Sequence, residues 1–433
     1  MELLITSLTL AGLLVVFLGG SLWIGMSLFL VGFGGLTFFL DIPAGTLMAN
    51  VLWNGTNGSA MLALPLFVLM GEILFRSRIA ENLFQGLSPW MDRIPGRLLH
   101  VNIFASAMFA AVSGSSAATT ATVGKITLRE FQRRQYNMSI SIGSLAGAGT
   151  LGFLIPPSMV MLVYGIMADV SIGKLFIAGF LPGILLALIF SGYIIACGLR
   201  DAAIAPPDET RYTWKDRLYS LPLLAPVIIL ILIVLGSIYT GWATPTEASA
   251  VGVVGSLFFA MLTKSLDWQA FKAALMGAVK TNCMIMWIVC GASYLSVSIG
   301  YLGITQSISE YIASLHLSPY LLIFILTLMY IVMGCLLDGF SMIVMSLPIT
   351  LPLIKQAGFD PIWFGIYLVV MIEMAQITPP VGFNLFVIKG LTDKDVGEIA
   401  MAALPFFLLM CAATVLLTVF PQIVLYLPGL MTR

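Results

Sequence analysis

Ala110–Gly124 reads AAVSGSSAATTATVG, small and hydroxyl side chains only, inside a chain that is apolar almost throughout. What this run does among lipid-seeking neighbours decides the fold. Arg76, Arg78, Arg93 and Arg97 precede it, and Lys125, Arg129, Arg133 and Arg134 follow it. Basic residues concentrate on the cytoplasmic side, so both flanks of residues 98–124 read as cytoplasmic. A segment whose two ends share a side must turn back within the membrane. Ser113–Ser116, SGSS, is the natural turn, because glycine relaxes the backbone and serine satisfies freed amides and carbonyls.

Composition sets the solvent. With 60% hydrophobic and 9% charged residues over 433 positions and a mean hydropathy of +1.04, the chain cannot hide its apolar surface in one water-soluble core. Apolar stretches long enough to cross a bilayer recur along it, so it reads as an all-α polytopic membrane protein embedded in a lipid bilayer. A formal net charge of zero offers no basic footprint for nucleic acid. The N-terminal MELLITSLTLAGLLVVFLGG carries Glu2 where a signal peptide is basic, and Leu22–Leu40 follows at once. Two spans are therefore expected there. Cys197, Cys283, Cys290, Cys335 and Cys411 show no metal or redox spacing and read as buried apolar side chains. The chain also carries no histidine cluster, Walker loop or GxSxG.

An ordered echo runs through the chain. Ile155–Ser158, IPPS, returns as Thr378–Val381, TPPV, and Pro182 returns as Pro405, both 223 residues on. Between them Asp169–Gly179, DVSIGKLFIAG, matches Asp393–Ala403, DKDVGEIAMAA. Upstream, SGSS matches Asp338–Ser341, DGFS, at 225 residues. One such motif is weak, but ordered recurrence indicates duplication of residues 61–199 and 281–420. The expected organisation is N-terminal scaffold spans in 1–60, a first repeat in 61–199 with hairpin 98–124, connecting loop and spans in 200–280, and a second repeat in 281–433 with hairpin 320–354. The polar segment 200–217, with Arg200, Arg211, Lys215 and Arg217, reads as a cytoplasmic loop. Lys264, Lys272 and Lys280 mark the same side again, whereas residues 299–319 hold no Lys or Arg and read as external. The second hairpin then enters from outside, opposite to the first, with Lys355 as a weaker, discordant signal on its outer flank.

This is the inverted-repeat plan of secondary transporters, in which broken helices meet near the midplane. Each proline pair removes two amide donors and excludes its neighbours from helix, so Ala146–Ser158 and Ala375–Phe383 should unwind in mid-membrane. Unwound backbone is tolerated there only where protein or a polar cavity covers it.

Over essentially the whole chain the sequence resembles the large membrane (M) subunit of a TRAP (tripartite ATP-independent periplasmic) transporter. The likeness rests on the paired hairpins, GSSAATTATVG, LGFLIPPS, GWATPTEASAVG (Gly241–Gly252) and ITPPVGFNLFV (Ile377–Val387). The resemblance implies an elevator-type fold of the ion transporter superfamily and sodium-driven import of a small organic acid, such as a C4-dicarboxylate or sialic acid. It also implies a separate small four-helix membrane subunit, a periplasmic substrate-binding protein and a place in the bacterial inner membrane. Sodium is then the coupling ion, with no other cofactor.

Sodium takes several oxygen ligands, many of them neutral. In the first half Ser113, Ser116, Gly149, Thr150 and Gly152 are the expected sodium ligands; in the second, Asp338, Gly339, Gln376 and Thr378. Ser115, Ser116 and Thr119, with Ser341, Pro379 and Asn384, are the expected substrate contacts. The plainer alternative is that small residues merely allow close helix packing, and that Thr119, Thr120 and Thr122 bond back within their helix. Charges inside spans are costly and usually functional, which singles out Asp338 and also Glu373. Glu72 reads either as such a charge or as a helix-end partner of Arg76. Glu247 reads as a helix cap with Thr244 or Thr246. His100 and His316 lie near the interfaces and are assigned no proton transfer. Two rivals to the three-part importer stand: a stand-alone sodium–carboxylate symporter, and an intramembrane hydrolase using Ser116 or Asp338.

Overall fold

A computed structural model describes residues 2–40, 42–206, 212–315, 317–335 and 337–431; Arg211 and His316 lie outside them. α1 (Glu2–Gly19) and α2 (Ile24–Phe39) fall on the two N-terminal apolar stretches, followed by α3 (Ala44–Thr56). α4 (Ala63–Phe75) and α5 (Ile79–Met91) lead into a closely joined pair, α6 (Leu99–Ser113) and α7 (Ser116–Arg133). α8 (Met138–Thr150) stops at a break, residues 151–158, before α9 (Met159–Ala168) and the long α10 (Ile172–Arg200). α11 (Trp214–Tyr239), α12 (Pro245–Leu262) and α13 (Trp268–Tyr301) connect to the second half. There the order of elements repeats: α14 (Ile304–Ser314), the pair α15 (Pro319–Gly334) and α16 (Gly339–Gln356), then α17 (Pro361–Gln376). A second break, residues 377–382, precedes α18 (Phe383–Lys389), α19 (Val396–Val419) and α20 (Gln422–Leu430).

Among the described residues six helices, α10, α11, α12, α13, α16 and α19, are long and apolar enough to cross a bilayer. The chain is a multi-pass membrane protein.

Helix starts follow the local chemistry of their caps. Ser115 accepts from the Ala118 amide at the start of α7, and Asp338 accepts from Phe340 at the start of α16. Asn137 and Asp360 cap α8 and α17 in the same way. Each cap satisfies a donor that lipid leaves bare. The caps also set a register that sequence matching missed. Ser115 and Asp338 stand 223 residues apart, as do Asn137 and Asp360, which is the spacing of the proline pairs. The structural counterpart of Asp338 is thus Ser115, two residues away from the Ser113 chosen by aligning SGSS with DGFS, because capping position, not letter identity, places the turn. α11 and α12 begin with complete capping boxes, Thr213 with Asp216 and Thr244 with Glu247, so Glu247 is the cap read from sequence.

Two boundaries differ in detail. α7 continues past Gly124 to Arg133, because Thr127, Leu128 and Phe131 recur on a buried face while Lys125, Arg129 and Gln132 stay exposed. α13 runs unbroken through residues 280 and 281, where the second repeat is expected to begin.

Packing sorts the helices into two groups, which meet where α4, α5 and α11 lie against α6 and where α13 lies against α16. α2 lies along α13, α12 against α4, and α11 against α5 and α12. Gly25 and Gly291 let α2 and α13 approach to backbone contact: a methyl group on Gly291 would lie 2.6 Å from the Gly25 carbonyl oxygen. The other group gathers both helix pairs and both broken helices, with α8 against α6, α7 and α19, and α17 against α15, α16, α9 and α10. Glu72 pairs with Arg76 at 3.2 Å. His100 is buried at the base of α6, its Nδ1 2.7 Å from Ser191 Oγ on α10 and its Nε2 2.7 Å from Pro95 O.

Candidate functional site

The first tip is built by one left-handed residue. α6 ends at Ser113, Gly114 takes φ +61° and ψ 13°, and Ser115 reverses the chain as the cap of α7. A side chain on Gly114 is disfavoured by that φ, and its methyl group would sit 2.8 Å from Pro157 O in the first break. Gly152 answers from the break itself: a methyl group there would lie 2.7 Å from both Ser115 C and Ser115 O. The tip and the break of the first half are therefore in backbone-to-backbone contact.

Hydroxyls fill this contact. Ser113 Oγ and Thr119 Oγ1 are 3.0 Å apart, and Thr119 Oγ1 donates to Ser115 O at 2.8 Å. Thr150 Oγ1 donates to Gly147 O at 2.8 Å at the end of α8. Thr119 and Thr150 thus bond backward within the local backbone, the plainer role weighed for such residues. Thr120 Oγ1 and Thr122 Oγ1 are buried without a partner. The α6–α7 pair is pinned to α8 by Asn102, whose Nδ2 donates to Ser141 O at 3.2 Å and Ser144 Oγ at 2.9 Å.

The second half reaches this place at two points. Asn384, on the first turn of α18, is buried against Ser116: Ser116 Oγ lies 3.1 Å from Asn384 Oδ1 and 2.8 Å from Asn384 Nδ2. Phe340, the second residue of α16, packs edge-on against Phe153 of the first break, centroids 6.4 Å apart. At the second tip Asp338 receives both the Phe340 amide, at 3.1 Å, and the Ser341 hydroxyl. Gly339 is buried in contact with Ile372 of α17. Thr378 Oγ1 donates to Met374 O at 2.6 Å, beside the buried Gln376. Pro379 is exposed on the outer edge of its break.

The structure therefore joins Ser113, Ser115, Ser116, Thr119, Gly152 and Asn384 in one cluster. Asp338, Gly339 and Ser341 form a neighbouring one, linked to the first through Phe153. Both breaks expose carbonyls. Gly152 O, Phe153 O, Leu154 O and Ile155 O accept no hydrogen bond from a described residue, nor do Gln376 O, Ile377 O, Pro379 O and Pro380 O. Prolines supply the reason, since residues 156–157 and 379–380 have no amide to give. Such bare oxygens beside hydroxyls suit a small hard cation, and helix starts at α7 and α16 suit an anion. Phe153 and Phe340 were not readable as site residues, because their role is a contact between distant segments.

The profile of the family described as "Tripartite ATP-independent periplasmic transporter, DctM component" matches residues 11–423. The chain belongs to this family. This DctM-family permease is 34% identical, over 92% of both chains, to the C4-dicarboxylate TRAP transporter large permease protein DctM of Pseudomonas aeruginosa. It is 30% identical to the sialic acid TRAP transporter large permease protein SiaM of Vibrio cholerae, over 88% of this chain and 89% of that one. Among solved structures, the YdaH transporter of Alcanivorax borkumensis superposes with a TM-score of 0.60 over 87% of both chains at 14% identity, a likeness of fold. The permease is a transport component and not an enzyme, which removes the hydrolase reading. Ser116 is held by Asn384, and Asp338 by Ser341 and Phe340, so neither side chain is paired with a general base.

Proposed function

We propose that this permease is the large transport subunit of a sodium-driven importer of small organic acids in the bacterial inner membrane. A small four-helix membrane subunit and a periplasmic binding protein that delivers the carboxylate complete it. The Ser116–Asn384 hydrogen bond carries the reading: it ties the first tip to the helix that follows the second break, 268 residues away. Both halves thereby contribute oxygens to one place. In this proposal the pairs α6–α7 and α15–α16 are re-entrant hairpins of an inverted repeat. Ser113, Ser116, Gly149, Thr150 and Gly152 hold sodium in the first half, and Asp338, Gly339, Gln376 and Thr378 do so in the second. Ser115, Ser116, Thr119, Ser341, Pro379 and Asn384 face the carboxylate. The group of hairpins and broken helices moves as an elevator against the group built on α2, α11, α12 and α13.

The test is uptake into liposomes containing both membrane subunits, with purified binding protein outside. Uptake is expected to follow an inward sodium gradient, to ignore ATP, and to vanish without the binding protein. Equal uptake in potassium or choline with sodium absent overturns the coupling. Robust saturable uptake by this polypeptide alone favours the stand-alone symporter.

A further inference from the structure

Glu373 is a carboxylate with nothing to hold it. It lies on α17, one turn before the second break, and is 0% exposed. Neither Oε1 nor Oε2 has a hydrogen-bond partner. It is turned toward the backbone of Leu154 in the first break, whose amide is already given to Leu151 O at 3.1 Å. In the same break the backbone oxygens of Gly152, Phe153, Leu154 and Ile155 accept no hydrogen bond from a described residue.

No charge on the surrounding helices answers it. Asp338 of α16 is bonded to Ser341, and Glu398 of α19 pairs with Lys394 at 2.7 Å. Lys355, Lys174 and Lys389, on α16, α10 and α18, make no ion pair with it among the described residues, and Asp169, the residue after α9, carries the same sign of charge. The buried phenols nearby are turned elsewhere: Tyr330 donates to Ser346 and Thr350, and Tyr164 donates to Pro361 O. A bare ionised carboxylate at this depth is strongly unfavourable, and an intramembrane acid of this kind marks an ion or proton pathway. With no basic side chain paired to it, the partner this carboxylate lacks is a cation. One carboxylate is neutralised by one positive charge, so that cation is monovalent.

We propose that Glu373, buried on α17 against the Leu154 backbone, takes up one monovalent cation, a proton or an alkali ion, in each transport cycle. The proposal rests on the transport reading above but not on sodium being the coupling ion. The experiment compares wild type with Glu373→Gln, the neutral isostere, in the complete three-part system in liposomes. It records uptake against sodium concentration and against pH, together with the reversal potential and substrate-coupled proton movement. Loss of one translocated charge per substrate is expected in the variant. If the occupant is an alkali ion, the Hill coefficient for sodium falls and the pH profile stays. If it is a proton, substrate-coupled proton movement disappears and sodium dependence stays. Wild-type stoichiometry and pH profile in a folded E373Q overturn the proposal, leaving the carboxylate a structural feature. Should E373Q not fold, Glu373→Asp takes its place: its shorter side chain is expected to weaken apparent cation affinity several-fold, and an unchanged affinity overturns the proposal. Wild-type uptake without any cation dependence would instead defeat the function proposed above, so the two failures are distinguishable.

Discussion

Ser116 and Asn384 carry the chemistry that one pair of side chains can carry. Both are buried, and each satisfies the other across 268 residues. Removing the hydroxyl leaves the Asn384 amide short of a partner in a place water does not reach, a loss of about 1–3 kcal/mol. Ser116→Ala is therefore expected to lower the Tm and, because Ser116 is a proposed substrate contact, to raise the KM for substrate as well. Uptake kinetics in the complete system measure it, and a KM equal to wild type would assign the pair to helix packing alone. Asn384→Asp would place a negative charge where the carboxylate substrate is proposed to bind, so its effect on uptake is expected to exceed that of Asn384→Ala.

Among elements, α5 shows how a helix is committed to one side of the molecule. Arg217 Nε, at the start of α11, donates to Pro89 O at 3.0 Å, and its guanidinium lies 5.0 Å from the Trp214 ring centroid. Ser220 Oγ donates to Gly86 O at 3.0 Å, and Trp90 Nε1 donates to Ser220 Oγ at 3.1 Å. The last carbonyls of α5 are thus bound to α11. The chain just beyond is held by the opposite group, since a methyl group on Gly198 of α10 would sit 2.8 Å from Gly96 N. Between Pro89 and Gly96 the chain thus passes from contact with α11 to contact with α10. Arg217→Ala is expected to cost about 1.5–3 kcal/mol, the range for a hydrogen bond from a charged donor. Thermal unfolding in detergent should show this as a lower Tm, and an unchanged Tm would mean that the serine and tryptophan bonds hold α5 unaided.

For the whole molecule the proposal to test is the opposed approach of the two hairpins. Single cysteines at Gln132 and Ser309, in a background without the native five, report it through a membrane-impermeant maleimide. Ser309→Cys is expected to react in intact cells and Gln132→Cys only after permeabilisation; reaction of both from one side refutes the inverted arrangement. The two breaks add an asymmetry. Residues 151–158 are buried apart from the half-buried Ile155, whereas Pro379, Pro380 and Val381 are exposed. The proposed alternating access calls for such an inequality, and with Lys389 beyond the exposed break the charge rule predicts that its open side faces inward. In the same labelling experiment Val381→Cys should therefore behave like Gln132→Cys.

Amino-acid composition alone determined the solvent, because no water-soluble core absorbs so much apolar surface. Local backbone chemistry determined where the helices turn and break: Gly114 for its left-handed φ, Ser115 and Asp338 as caps, and the proline pairs for their missing amides. These effects act within a few residues, so a sequence displays them directly. The same locality let Glu247 be read as a cap and Glu72 as a possible partner of Arg76. Only the tertiary structure decided what meets what. The Ser116–Asn384 bond and the Phe153–Phe340 contact depend on packing between segments far apart in the chain. So does the isolation of Glu373, since a missing partner is visible only once every neighbour is in place.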